Sequence, residues 1–302
     1  MEIIVIGLGK MGLNLVKNYN ENRIAVRGYD LNETIKDKYH HELFEFVTLD
    51  DIFSVPEEKL VLMLLPAGDP TSQMIDTLAT QLSPLDYVID FSNSFYQTSI
   101  KNHQTLKSRG IRYCDCGLSG GMNGAKNGAC MMLGGSNEND GHIHRYLEMV
   151  CQAGGFQFYE QVGSGHYLKM VHNGIEYGMM QAIAEGLSLL DHQPLFDYNL
   201  EKVANNWLHG SIIESSLLKN IYEELQKDTN LAIHSPKIAA SGEANWMVKE
   251  AIDSGVPVPI IALSLMMRQA SLTDKQYSNR VVSAMRYNFG GHNEFSTLYP
   301  EH

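Results

Sequence analysis

The sequence has few cysteines and few basic residues, and both shortages restrict its function. Only four cysteines occur in 302 residues, and the closest pair, Cys114 and Cys116, lacks the spacing of a zinc knuckle. We therefore expect free thiols, no zinc site, and a reducing compartment such as the cytoplasm. Lysine and arginine number 23 against 35 acidic residues, so the net charge is −12. An acidic chain of this kind is a poor partner for nucleic acid or an acidic membrane surface.

Long apolar runs are missing as well. No stretch of about 18 apolar residues occurs, so we expect no membrane span. The chain starts directly with an apolar strand pattern, Ile3 to Ile6, and we therefore expect no signal peptide. The hydrophobic content of 44% is typical of a globular protein, and 302 residues favour two domains.

The first strand pattern leads into a glycine-rich turn, Gly7-Leu-Gly-Lys-Met-Gly12, and then into a helical pattern. Strand, G-x-G-x-x-G and helix in this order form the fingerprint of a dinucleotide site. The glycines allow a tight turn, close approach to a pyrophosphate and close helix–strand packing. The N-terminus of the helix offers N–H groups to the phosphates. The predicted cofactor contacts in this loop are Gly7, Leu8, Gly9, Lys10, Met11 and Gly12.

A second strand pattern ends at Asp30, near the position about 20 residues on where an acid binds the adenosine ribose. A carboxylate accepts hydrogen bonds from the 2′-hydroxyl and repels a 2′-phosphate, and no arginine follows directly. The pattern favours NAD over NADP, although Asp30 as a turn residue or helix cap is the alternative. Pro66 and Ala67, at the end of a later strand pattern, and Asn93, after the next one, are predicted to line the same cofactor site.

Strand and helix patterns alternate through residues 1–162, which predicts an α/β Rossmann domain with a doubly wound parallel sheet. Ligand-binding loops of such sheets follow the carboxyl ends of the strands, where Asn93 and Ser119-Gly120-Gly121 stand. That Ser-Gly-Gly turn suits a carboxylate, and a simple flexible turn is the alternative. The predicted strands are 3–6, 24–29, 60–65, 87–91, 111–115, 131–135 and 156–159.

Residues 163–302 carry helical patterns only and predict a second, all-helical domain. The predicted helices cover 166–193, 198–226, 244–271, with a break at 255–259, and 274–288. In the first of them, Ser164 is a candidate cap, and Lys169, Asn173 and Glu176 share one face. Lys169 and Glu176 lie about two turns of about 5.4 Å apart, so they could address the two ends of a small molecule. A solvated helix face is the alternative.

One segment in this helix, Lys169-Met-Val-His-Asn-Gly-Ile-Glu-Tyr-Gly178, closely resembles the catalytic helix of 6-phosphogluconate dehydrogenases. The resemblance extends to other parts of the chain. Asp90-Phe-Ser-Asn-Ser94 and Leu118-Ser-Gly-Gly121 are similar to the family's substrate loops, and Gly7–Gly12 is similar to its cofactor loop. The segment Arg286–His292 keeps the spacing of the family's C-terminal arginine and histidine.

The resemblance implies oxidative decarboxylation of 6-phosphogluconate to ribulose 5-phosphate and carbon dioxide. Lys169 would be the base that takes the proton of the C3 hydroxyl, a role that needs a neutral lysine, which burial favours. The resulting β-keto acid is its own electron sink, so no metal is expected. Glu176 would protonate C1 of the enediol. The positions that match the family's substrate contacts are Asn93, Ser119, Gly120, Gly121, His172, Asn173, Tyr177, Arg268, Arg286 and His292.

The C-terminal arginine and histidine of this family serve the neighbouring subunit's site. The resemblance therefore implies a homodimer or homotetramer in which Arg286 and His292 complete a partner's site. The chain departs from the family's long form because it is shorter and lacks the duplicated half of the helical domain. A lysine-rich segment of the family is replaced by Ser241–Trp246, so the contribution of Lys237 to a phosphate site stays open.

Two other functions compete with this interpretation. A non-decarboxylating β-hydroxyacid dehydrogenase of the 3-hydroxyisobutyrate type would share the Rossmann domain, Lys169 and Asn173. It would have no use for an acid at Glu176, because only decarboxylation leaves an enol to protonate. A cofactor-sensing or scaffold protein with an inactive site is the other alternative, and the complete set of lysine, asparagine and glutamate argues against it.

Overall fold

The structure, a computed structural model, describes residues 1–136, 141–240, 242–273 and 277–290. A first compact unit comprises Met1–Ile175, and a second begins at Glu176. The strands are β1 Glu2–Ile6, β2 Val26–Tyr29, β3 Phe44–Phe46, β4 Lys59–Met63, β5 Tyr87–Asp90, β6 Arg112–Ser119, β7 Ala129–Gly135 and β8 Cys151–Glu160. The helices are α1 Lys10–Glu21, α2 Leu49–Ser54, α3 Asp69–Gln81, α4 Tyr96–Lys107, α5 Gly121–Asn127, α6 Gly141–Glu148, α7 Ser164–Asp191, α8 Leu200–Trp207, α9 Ser216–Leu225, α10 Gly242–Ser254, α11 Pro259–Ser271 and α12 Tyr277–Gly290.

The strands of the first unit form a single sheet in the order β3-β2-β1-β4-β5-β6-β7-β8. The order reverses direction at β1, as in a doubly wound dinucleotide-binding sheet. The predicted Rossmann domain, followed by a helical domain, is therefore confirmed. The sequence patterns missed β3, because a strand of three residues, Phe44–Phe46, is too short to show a period.

One pair of neighbouring strands departs from the predicted parallel arrangement. β6 and β7 are antiparallel, with Asp115 opposite Gly134, whereas the other neighbouring strands run parallel. The reason is the short connection between them, which holds only α5 and its flanking residues. A parallel crossover needs a dozen or more residues, so the chain turns back here instead.

The apolar runs of the central strands follow from burial on both faces of the sheet. In β1, Ile3 and Val5 belong to the core on one face, and Ile4 and Ile6 belong to the core on the other. All four are at most 3% exposed. Strands covered by helices on both sides read as continuous apolar runs, and these runs are what made the sheet predictable.

The helical unit differs from the prediction in one place. The pattern over 198–226 is divided into α8 and α9, since the backbone leaves the helical region at Gly210, where φ is +88°. Ala204 of α8 then packs with Leu218 and Leu225 of α9 in a small buried cluster. The predicted break at 255–259 is present, and Pro259 opens α11 at its first position, where its missing N–H costs nothing.

The first turn of α7 lies directly on the backbone of the sheet. A Cβ atom at Gly165 would lie 2.5 Å from the carbonyl oxygens of both Asp115 and Met132, and 2.8 Å from the nitrogen of Gly134. These neighbours are backbone atoms of paired strands and cannot move aside independently. Position 165 therefore requires glycine because any side chain would clash with these backbone atoms, and not because the chain must be flexible there.

This contact predicts opposite outcomes for two glycines of the same helix. Gly165→Ala should destabilise the protein by about 1–3 kcal/mol, because the added methyl group overlaps strand backbone. Gly186→Ala is the matched control: a Cβ there meets nothing within 4 Å. Alanine at that helical position should stabilise by about 0.5–1 kcal/mol. Urea unfolding of both variants is the measurement, and equal midpoints would contradict the prediction.

Candidate active site

The glycine loop between β1 and α1 has the geometry of a phosphate-binding turn. Gly7 has a φ of +94°, and a Cβ at Gly12 would lie 1.9 Å from the Gly7 carbonyl oxygen. A Cβ at Gly9 would meet nothing within 4 Å, so one side of the loop is open. Lys10 and Met11 lie in the first turn of α1, which no side chain caps. The loop therefore leaves room and helix N–H groups for a pyrophosphate, and these residues fit a dinucleotide.

Asp30 follows β2 and braces this loop. Its Oδ2 accepts the Leu8 N–H at 2.7 Å, and its Oδ1 accepts the Asn32 N–H at 2.8 Å. Each carboxylate oxygen has a second lone pair, so both can still accept from ribose hydroxyls. Pro66 and Ala67 lie exposed after β4, where the Pro66 carbonyl accepts the Thr71 hydroxyl at 2.8 Å.

Lys169 lies in the second turn of α7 and is 7% exposed. A Cβ at Gly117 of β6 would lie 2.5 Å from the Cβ of Lys169. The helix therefore approaches the sheet so closely that only glycine fits behind the lysine. The position of Lys169 is set by contact between two rigid elements, as a catalytic group requires.

The start of α7 is held by Asp115 of β6. The carboxylate accepts the Gly163 N–H at 2.5 Å and the His166 N–H at 2.7 Å, two groups that lack partners within the helix. Burial raises the pKa of the Asp115 carboxyl, while His166 and the two N–H groups act in the opposite direction. The sequence analysis assigned this cap to Ser164, but the Ser164 hydroxyl donates to the Gln161 carbonyl at 2.6 Å instead.

Ser119, His172 and Asn173 are brought together by hydrogen bonds. Ser119 ends β6, and its hydroxyl lies 2.9 Å from Nε2 of His172. The other ring nitrogen, Nδ1, lies 3.1 Å from Oδ1 of Asn173. Gly120 and Gly121 follow with φ values of +109° and +60° at the start of α5. The arrangement fixes the ring of His172 between a hydroxyl and an amide, all of which can bind substrate hydroxyls.

Asn93 occupies the turn after β5 in a left-handed conformation, with a φ of +60°. Such a backbone is uncommon outside glycine and is held here by a buried carboxylate. Asp90 is fully buried, and its Oδ1 accepts the Ser92 N–H at 2.9 Å. The Ser92 and Ser94 hydroxyls lie 2.7 Å apart on either side of Asn93. These hydrogen bonds therefore fix the conformation of the turn that carries Asn93.

Four of the described predicted site residues belong to the second unit: Glu176, Tyr177, Arg268 and Arg286. Glu176 is half-buried, and Tyr177 is 6% exposed. The guanidinium of Arg268 lies 3.4 Å from the centre of the Tyr177 ring, an Arg–aromatic stack that holds the cation in place. The structure thus brings Tyr177 and Arg268 together. Arg286 lies exposed on α12.

Two of the expected phosphate-end features are not described. His292 and Ser241 lie outside the described residues. Lys237 is exposed in the loop before α10, and its backbone N–H donates to the Ser235 hydroxyl at 3.1 Å.

Among the described residues, no group of three or more His, Cys, Asp or Glu side chains could hold a metal ion. Within those same ranges, no helix is long and apolar enough to cross a membrane.

The sequence analysis missed the buried groups beneath the site. Asp115, Asp90 and His166 are all at most 2% exposed, and each accepts or donates at a loop or helix end that carries a predicted site residue. One signal for them was available. Asp90 and Asp115 stand at or near the ends of apolar strand patterns, where an ionisable side chain needs a reason to be buried.

Comparisons with known proteins show which family the chain resembles. The family model described as the NAD binding domain of 6-phosphogluconate dehydrogenase matches residues 2–163, and that described as its C-terminal domain matches residues 165–294. The chain is 40% identical to YqeC of Bacillus subtilis (strain 168), provisionally named a 6-phosphogluconate dehydrogenase, over 97% of this chain and 98% of that protein.

A second relative is the NAD(+)-dependent, decarboxylating 6-phosphogluconate dehydrogenase of Haloferax volcanii, which is 33% identical over 97% of this chain and 98% of its own. Among solved structures, the 6-phosphogluconate dehydrogenase of Plasmodium falciparum superimposes with a TM-score of 0.77 at 28% identity, covering 100% of this chain and 67% of that one. Both halves of the sequence match one family, and the fold agrees. The chain therefore belongs to the 6-phosphogluconate dehydrogenase family.

Proposed function

We propose that this protein oxidises and decarboxylates 6-phosphogluconate to ribulose 5-phosphate and carbon dioxide, with NAD as its preferred cofactor. One observation carries the proposal. Lys169 is buried in a helix whose start is fixed by Asp115 and whose side is backed by Gly117. Lys169 is thus held in a fixed position, seven residues before Glu176. The two side chains suit a base and an acid that act at different carbons of one substrate.

The roles follow from what each side chain can do. Bound NAD supplies the acceptor for the hydride that leaves C3. Neutral Lys169 takes the proton of the C3 hydroxyl, which lets the C3–O bond become a carbonyl. When carbon dioxide leaves from the adjacent carbon, the Lys169 ammonium returns that proton to the C3 oxygen and stabilises the enol. Glu176 then protonates the carbon that lost carbon dioxide, which is C2 of the substrate and C1 of ribulose 5-phosphate, and this converts the enediol to the ketone.

The remaining site residues are assigned to binding. Asn93, Ser119, Gly120, Gly121, His172 and Asn173 are proposed to hold the carboxylate and hydroxyls of the substrate. Tyr177 and Arg268 are proposed to bind its phosphate, since a stacked guanidinium is a rigid fork for phosphate oxygens. The family model of the C-terminal domain, which starts at residue 165, supports a substrate domain that begins near residue 163.

The preference for NAD is inferred from Asp30 and from the residues that follow it. The carboxylate is held by the N–H groups of Leu8 and Asn32 at the mouth of the glycine loop. A 2′-phosphate brought to this carboxylate would be repelled. We also propose a cytoplasmic enzyme, because free thiols such as Cys130, which is exposed, fit a reducing compartment.

The purified protein should reduce NAD in the presence of 6-phosphogluconate and release one carbon dioxide for each cofactor reduced. The measurement combines absorbance of the reduced cofactor with trapping of carbon dioxide, and 3-hydroxyisobutyrate serves as the comparison substrate. Cofactor reduction without carbon dioxide would favour the non-decarboxylating alternative. A higher kcat/KM with NADP than with NAD would show that the interpretation of Asp30 is wrong.

Lys169→Met and Glu176→Gln should fail at different steps. Without its base, Lys169→Met should lose about 100- to 10,000-fold in kcat, and no reduced cofactor should form in a single turnover. Glu176→Gln should still reduce cofactor in the first turnover and then turn over slowly, because only the later protonation is affected. Glu185→Gln, an exposed acid on the same helix, is the matched control and should behave as wild type. Wild-type turnover by Glu176→Gln would refute its role.

Arg286 is proposed to serve the site of a neighbouring subunit, which mixed oligomers can test. Lys169→Met and Arg286→Ala, each nearly inactive alone, should regain about a quarter of wild-type activity when co-refolded in equal amounts as dimers. In each mixed dimer, one site would carry both changes and the other site neither. If Arg286 acted within its own chain, every mixed site would carry one change, and no activity would return.

A further inference from the structure

Helix α7 lies along the ladder between β6 and β7. Three pairs of opposite residues share the face of the ladder that α7 covers: Asp115 with Gly134, Gly117 with Met132, and Ser119 with Cys130. The helix meets the first pair at Gly165, the second at Lys169 and the third at His172. Two strand residues rise about 6.7 Å and one helical turn rises about 5.4 Å, so successive turns reach successive pairs.

The β6 member of each pair has a defined contact with α7. Asp115 accepts two N–H groups of the helix, Gly117 gives Lys169 room to approach, and the Ser119 hydroxyl lies 2.9 Å from Nε2 of His172. In β7, the residue opposite Gly117 is Met132, which carries a long apolar side chain. The middle pair therefore combines the smallest residue on one strand with a large one on the other.

Met132 points away from the core on the other face of the sheet. Its neighbours in β7, Met131 and Leu133, are at most 1% exposed and belong to that core. Successive strand residues point to opposite faces, so Met132 lies on the face of α7, where it is half-buried. The role of this side chain is therefore to be sought beside the helix.

The end of the Met132 side chain lies beside Lys169. A Cβ atom at Gly117 would lie 2.5 Å from Cβ of Lys169 and 3.2 Å from Cε of Met132. Both atoms surround one point, so the methionine methyl group is a close neighbour of the lysine side chain. The lysine is itself only 7% exposed, and Met132 supplies an apolar part of its surroundings.

An apolar neighbour matters for a lysine that must be neutral. Water stabilises the ammonium form, so a side chain that excludes water favours the neutral amine. A thioether suits this purpose because it is flexible enough to fill an irregular space and accepts hydrogen bonds only weakly. Met132 therefore excludes water without giving the ammonium group a strong partner.

We propose that Met132 is a positioning residue that shields the Lys169 side chain from water and thereby keeps the base in its neutral form. This inference rests on the proposed role of Lys169 as the base. Other titratable groups lie on the same face of the ladder and the same side of α7: Tyr113, Asp115, Cys130, His166, His172 and Glu176. They are present in every Met132 variant, so differences between those variants report on position 132.

The protonation of Lys169 can be followed directly by NMR in protein with 13C-labelled lysine, where Lys169→Met identifies the signal. Met132→Gln should raise the midpoint of the Lys169 titration by about one pH unit, because an amide of similar length admits water and accepts from the ammonium group. Met132→Leu keeps the site apolar and should stay within about 0.3 units of wild type. Equal midpoints in the two variants would overturn the proposal.

The activity should change in the same direction. At pH 7, Met132→Gln should lower kcat about tenfold, and the loss should shrink as the pH rises, because more of the base is then neutral. Met132→Leu should keep most of the activity. Met149→Gln, the same exchange at an exposed methionine, is the matched control and should behave as wild type. A loss in Met132→Gln that is equal at every pH would show a general disturbance and overturn the shield.

The NMR titration needs no substrate, which separates this inference from the proposed reaction. If the wild-type protein does not oxidise 6-phosphogluconate, the proposed function fails, and the shield is judged by the titration alone. If Met132→Gln does not fold, Met132→Ala provides the same test, since removal of the thioether lets water reach Lys169. A wild-type midpoint in Met132→Ala would then overturn the proposal.

Discussion

The active-site geometry depends on one buried carboxylate. Asp115 lies in the interior of β6 and accepts two N–H groups at the start of α7, a position where a helix has no internal partners. An ionised carboxylate in such a place is costly unless donors surround it, and burial does raise the pKa of this group. Two backbone donors and His166 offset that cost. Because the cap ties the helix to a central strand, Lys169 two turns into α7 inherits a fixed position.

The antiparallel pairing of β7 with β6 makes this arrangement possible. The antiparallel return places Gly134 opposite Asp115, and the first turn of α7 lies on both strands. The short α5 connection that forces the reversal also carries the Ser119-Gly120-Gly121 turn. The short connection thus supplies both this turn and a backbone surface on which the first turn of α7 packs.

The sequence predicted those parts whose signals are local. The continuous apolar strands, the glycine fingerprint and the helical period around Lys169 are each legible within a few residues, so the fold class followed from them. The grouping of Ser119 with His172 was expected only through resemblance. The cap at Asp115 and the contact between Ser99 and His166 join residues 48 and 67 positions apart, and no local pattern encodes such pairs. The antiparallel pairing of β7 was missed because the predicted strands, 111–115 and 131–135, left a connection long enough for a parallel crossover, whereas only residues 120–128 connect the observed strands.

The glycine contact beneath α7 has a consequence for how this protein can change. Gly165 and Gly117 let the helix rest on main-chain atoms, and main-chain atoms are the same whatever side chains the surrounding core carries. Exchanges among core residues such as Ile89 or Leu133 can therefore alter stability without moving the helix across the sheet. The position of Lys169 therefore depends little on which side chains fill the core. Such a protein can accumulate core substitutions while the distance from Lys169 to the sheet stays constant.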